Sequence, residues 1–184
     1  MIEQFDILDI CGIPTGATAN RGTQLKDVEY YLGVHVYIYN TEGEFLLQQR
    51  SYNKNFLPGG WDVVLEHIVA GETSVEGAIR GITEEVGICI PKSDMKLAGR
   101  FIWNTYHHII DVYFAKADFA ISELSLRNEE VIAAKMVSKD DMLELILKMD
   151  YRPVEYRQHI GCKIRKLVKG EEVNNGIYGE IHMV

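Results

Sequence analysis

Four glutamates and one arginine, Glu72, Glu76, Arg80, Glu84 and Glu85, fall within fourteen residues of this chain. Glu84 and Glu85 are adjacent, and at about 4 Å and an effective dielectric near 20 two carboxylates repel by roughly 4 kcal/mol. A divalent cation reverses that sign. Oxygen-rich sets of this kind suit Mg2+ or Mn2+, which also bind diphosphate oxygens and lower the pKa of an attacking water. The competing reading is a helix face that is simply solvated. Arg50, at the end of an apolar run, and Lys54 in the segment after it would hold phosphate oxygens; otherwise Arg50 is a surface ion-pair partner. Phe56, Trp61, Trp103 and Tyr106 would stack on a base or an isoprenoid, or else fill the core.

These residues need elements to place them. Thr73 with Glu76 three positions on forms a capping box, and Gly87 stands where a left-handed residue ends a helix, so a helix is predicted from about Ser74 to Val86. Val75, Ala78, Ile79, Ile82 and Val86 make its buried stripe, while Gly77, Gly81, Glu84 and Glu85 share another side. Before it, Glu29 to Tyr39, the turn Asn40-Thr-Glu-Gly43 and Glu44 to Gln49 read as strand, turn and strand. Asn53 to Gly60 reads as a loop, and Trp61 to Val64 as a short apolar run. Met95 to Trp103 and His108 to Ala117 read as further strands. Ser138 caps a helix to about Met149, with Asp141 at its third position. Three regions follow: an N-terminal arm or hairpin over 1–27, a main domain over 28–150, and a C-terminal extension over 151–184 with a helix from Val154 to Leu167.

Composition narrows the classes. Nineteen Lys and Arg against 27 Asp and Glu leave a net charge of −8, with 47% hydrophobic and 25% charged residues among 184. That describes one soluble globular domain with some decoration. A sequence pI near 5.2 argues against gripping nucleic-acid polymers, which needs clustered cations. Cys11, Cys89 and Cys162 are odd in number and far apart, so they read as reduced thiols. The N-terminus lacks the basic region of a secretory signal, and no apolar run approaches the roughly 18 residues that span a bilayer. A cytoplasmic protein without membrane contact is expected.

The stretch from Glu66 to Ile88 resembles the Nudix box, G-x5-E-x7-R-E-U-x-E-E-x-G-U, where U is aliphatic. Glu72, Arg80, Ile82, Glu84, Glu85, Gly87 and Ile88 match seven of the nine specified positions with correct spacing. Tyr31 to Tyr39, Glu44 to Arg50, Pro58-Gly59-Gly60-Trp61-Asp62, His67 and the Pro-Thr-Gly of Ile10 to Arg21 are similar to the isopentenyl-diphosphate-isomerase-like branch, so the likeness covers roughly residues 5 to 150. It implies an α/β/α sandwich with a mixed sheet. The implied activity is hydrolysis of a nucleoside or other organic diphosphate, aided by Mg2+ or Mn2+, in a protein that is often a homodimer. Glu84 and Glu85 would bind the metal, and Arg80 would orient Glu72. Glu130, with Glu129 as a near equal, would add an acidic ligand. Arg50, Lys54 and Trp61 would contact substrate. Isomerase chemistry is disfavoured: His67 is near a metal-binding His of those enzymes, but the Cys they need just before it is absent. His107 and His108 lack metal-ligand spacing and read as polar loop residues.

Two departures fall within the box. Glu66 stands where the pattern has Gly, and Gly81 where it has the Glu after Arg. Glycine costs roughly 1 kcal/mol against alanine inside a helix, and Gly77 adds a second such cost. Either Gly81 leaves room for a group or water that completes the metal shell, or the site has decayed into a module that binds a ligand or protein. Glu66 is the residue that would reach in to replace the missing carboxylate, as a metal ligand or, like Glu72, as a base acting through water.

Overall fold

A computed structural model describes residues 3–167 and, as backbone, 181–183. Its middle strand, β3 (Tyr31–Tyr39), is apolar along nearly its whole length because helices cover both of its faces. Val34, Val36 and Ile38 point to one side and pack with Ala78, Ile82 and Val86 of helix α1 (Ser74–Val86). Tyr37 and Tyr39 point to the other side, where α2 (Lys139–Lys148) and α3 (Val154–Leu167) supply Met142, Ile146, Tyr156, Ile160 and Ile164. Three layers result.

The N-terminal segment forms the hairpin β1 (Gln4–Leu8) and β2 (Pro14–Asn20). It is tied to the body by Leu8 opposite Tyr30 and by Ala70 N–H to the Gln4 carbonyl. In the main sheet, β3 meets β4 (Phe45–Arg50) through Tyr39 and Phe45, and β4 pairs antiparallel with β5 (Trp61–Asp62). A four-residue strand, β6 (Val64–His67), lies antiparallel to the first half of β3 with Val34 opposite Glu66. β7 (Met95–Trp103) and β8 (His108–Lys116) form an antiparallel pair, and β8 runs parallel to β3. The parallel pairing of β3 and β8 among antiparallel neighbours makes the sheet mixed.

The structure adds strands that the sequence reading lacked and encloses part of one helix side. Residues 131–137 form a strand, β9 (Val131–Val137), paired along β4. In the tail, β10 (Ile181–Met183) follows α3 and adds a strand parallel to β7. On the side of α1 that carries Gly77, Gly81, Glu84 and Glu85, the two glycines and Glu85 are buried. The α1 limits are those expected: Thr73 and Glu76 cap one another, and Gly87 at φ 77° closes the helix on the Thr83 carbonyl.

Candidate metal and diphosphate site

Arg80 fixes the geometry between α1 and the segment leading into it. Its Nε and Nη2 donate to the Glu72 carboxylate at 2.9 and 3.1 Å, and Nη2 also donates to the His67 carbonyl at 2.8 Å. A planar fork that engages two groups at once is something lysine cannot reproduce. Arg80 thus holds the Glu72 carboxylate and also anchors the end of β6. Its Nη1 faces Glu66 at 3.4 Å and Glu84 at 3.7 Å.

The carboxylates differ in their surroundings. Glu85 is 4% exposed, and its carboxylate accepts from the Gln48 amide at 2.5 Å. Burial, opposed by that hydrogen bond and reinforced by the Glu66 charge, pushes Glu85 up to about 7. Glu66 is also raised by burial, against the pull of Arg80. Glu84 is exposed and lies 3.5 Å from Arg127. Glu130 is ion-paired with Lys54, and Ser51 N–H donates to its carbonyl, which ties the β4–β5 loop to the start of β9.

The proposed substrate contacts divide. Arg50 is buried, with Nε on the Phe56 carbonyl and its guanidinium over the Phe56 ring. Phe56 meets both Tyr106 and Tyr151, and Tyr106 meets Trp103 at 4.9 Å, so three of the four aromatics named from sequence touch in one cluster that Tyr151 joins. Trp61 instead carries Lys135 Nζ 4.3 Å above its ring.

Several contributors were not visible in the sequence. Gln48 follows Leu46 at strand period on β4, so a polar residue at a core position was its signal. His108 is the first residue of β8 rather than a loop residue, and its Nε2 lies 2.8 Å from that of His67. On the other face, Arg152 is 2% exposed and joins elements far apart in sequence. It bonds Asp62 at 2.5 Å, the Tyr156 hydroxyl at 2.6 Å and His35 Nδ1 at 2.9 Å.

Among the described residues, no three His, Cys, Asp or Glu side chains converge closely enough to hold an ion as they stand. The donor set nonetheless suits a hard cation. Glu66, Glu84 and Glu85 are grouped by α1 and β6, and Glu85 is a buried carboxylate whose partner is a neutral amide. Gln48 Oε1 beside it is buried and without a hydrogen bond. An exposed ion pair such as Glu84–Arg127 is worth only about 0–1 kcal/mol, so it competes weakly with a divalent ion.

A three-layer α/β fold with a carboxylate-bearing helix packed on a mixed sheet is what the structure defines. Residues 29–158 match the family model of the NUDIX domain, and the chain belongs to the Nudix family. It is 33% identical over 153 residues to an uncharacterized Nudix hydrolase of Listeria monocytogenes, covering 83% of this chain and 89% of the relative. Likeness to the Escherichia coli isopentenyl-diphosphate Delta-isomerase is partial: 29% identity over 87 residues, 47% of this chain and 48% of that enzyme. A crystal structure of a Deinococcus radiodurans protein superposes with a TM-score of 0.67 at 17% identity, covering 89% of this chain and 98% of the other. That likeness concerns the fold. Family membership supports hydrolase activity in general and the use of a divalent metal ion such as Mg2+. No helix among the described residues is long and apolar enough to cross a membrane.

Proposed function

We propose that this chain is a cytoplasmic, Mg2+- or Mn2+-dependent hydrolase of a nucleoside or other small organic diphosphate. The observation that carries the reading is Glu85, a buried carboxylate beside Glu84 that has a neutral amide where a cation would be expected. Glu84, Glu85 and Glu130 would hold the metal ion. When bound, such an ion neutralises charge on the diphosphate oxygens and makes water a better nucleophile near pH 7. Arg80 keeps Glu72 in place at the mouth of the helix, so either Glu72 or Glu66 receives the proton of the attacking water. Arg50 and Lys54 flank the same loop and would meet phosphate oxygens, while Phe56, Trp103 and Tyr106 offer ring surface to the rest of the substrate.

A second reading is favoured by one feature, the glycine at position 81. On that reading the chain is a binding module with an inherited pocket. The two separate cleanly. Purified protein with Mg2+ or Mn2+ is expected to release phosphate or a monophosphate from members of an organic diphosphate panel, and Glu85→Gln is expected to abolish this. Tight binding of a panel member with no metal-dependent turnover would establish the module instead.

A further inference from the structure

Position 81 has no side chain, yet the space beside it is filled. A Cβ built on Gly81 would lie 2.8 Å from Cβ and 2.9 Å from Cγ of Glu66, and 3.4 Å from its Oε2. The first of these, Glu66 Cβ, is placed by the backbone pairing of Glu66 with Val34, so relieving that contact needs the strand or the helix to shift. Positions 66 and 81 therefore compete for one volume. The pattern that the sequence resembles carries the opposite pair, Gly at 66 and Glu at 81.

Position 81 lies three and four residues before Glu84 and Glu85, which makes it their neighbour on α1. A carboxylate lying over Gly81 consequently stands beside both. Its Oε1 accepts from His67 N–H at 2.7 Å, and Oε2, the oxygen beside Gly81, faces Arg80 at 3.4 Å. Gln48 supplies a second pointer to a ligand, since its Oε1 is buried without a partner while its Nε2 holds Glu85. A site that had merely decayed would gain nothing from burying a carboxylate there, because desolvating a charge is costly.

We propose that the two positions have exchanged side chains, so that Glu66 delivers from β6 the metal-binding carboxylate that the helix lacks. This rests on the hydrolase reading above and adds the residue that completes the centre. The test uses the full chain, with Mn2+ titrated by calorimetry and by electron paramagnetic resonance, alongside thermal unfolding. Glu66→Gln keeps the shape and is expected to weaken Mn2+ uptake roughly 10-fold or more, by the standard set for lost metal-site partners. Gly81→Glu alone is expected to lower the unfolding temperature. The double exchange, Glu66→Gly with Gly81→Glu, is expected to recover both Mn2+ affinity and stability relative to the single variants. If Glu85→Gln weakens Mn2+ uptake but Glu66→Gln does not, the exchange is wrong and the hydrolase reading stands. If the native chain takes up no Mn2+, with or without an organic diphosphate, both fail together.

Discussion

Replacing Gly81 by alanine should destabilise this protein, although the same change in an open helix would stabilise it. An interior Gly→Ala substitution gains about 1 kcal/mol from helix propensity. Here the new methyl would meet Glu66 Cβ at 2.8 Å and Cγ at 2.9 Å, and overpacking of this kind costs about 1–3 kcal/mol. The net loss is about 0–2 kcal/mol. At roughly 2–4 °C per kcal/mol for a chain of this size, a net 1 kcal/mol lowers the melting temperature by about 2–4 °C. With Glu66→Gly already in place the opposing stem is gone, and the same Gly81→Ala step should raise the melting temperature by a similar amount. Calorimetric melts of the four proteins in the cycle, checked by urea unfolding, read the sign directly. A stabilising Gly81→Ala in the native background would refute the claim that one volume is shared.

Two further outcomes concern the other face of the sheet and its rim. Burial, with the neighbouring His108, pushes His67 down to about 3, so the native state leaves it neutral while the unfolded chain protonates it near its ordinary 6.5. The stability this contributes is fully present above pH 6.5 and falls as the pH drops towards 3, by about 2 kcal/mol between pH 6.5 and 5. Urea midpoints at those two pH values should diverge less in His67→Gln than in the native protein; equal slopes would remove the histidine pair from the account. Arg152→Met strands Asp62, which is buried at 0% exposure, and breaking a buried pair from one side costs about 3–5 kcal/mol. Adding Asp62→Leu should recover much of that, and a single-variant loss below about 1 kcal/mol would show that the pair is unimportant.

The parts of the fold that were legible in the sequence are those with local causes. Thr73, Glu76 and Gly87 fix the limits of α1 by capping, and Ser138 opens α2 in the same way, with its hydroxyl accepting from Asp141 N–H. β3 was legible because nine residues of Tyr, Val and Ile character end at a turn. β9 was not, since the turn before Val131-Ile-Ala-Ala-Lys-Met-Val137 has no Gly or Pro to mark it and the strand alternates weakly, gaining its identity from β4 alongside. Pairings across the chain were equally hidden. Arg152 and Asp62 are 90 positions apart, and His67 and His108 are 41 apart, so no spacing rule relates them. At the site the spacing supplied the residue types, but not burial. That Glu85 is enclosed while Glu84 is open depends on where Gln48 and β6 lie against the helix.

The short strand β6 links these observations. Glu66 points to α1, while Leu65 packs into the core under α2 and α3 and His67 joins His108 and the Phe5 ring. Because strand side chains alternate, a slip of one residue against β3 would send Glu66 to the wrong face and His67 towards Gly81. Two contacts oppose that slip from the helix side: Arg80 grips the His67 carbonyl, and its Nη1 faces the Glu66 carboxylate. Arg80 is thus a register lock as well as an anchor for Glu72. A carboxylate donated from a strand needs such a lock, whereas one carried on α1 is placed by the helix itself. Moving the acidic side chain from position 81 to position 66 therefore makes the site depend on the pairing of β6 with β3.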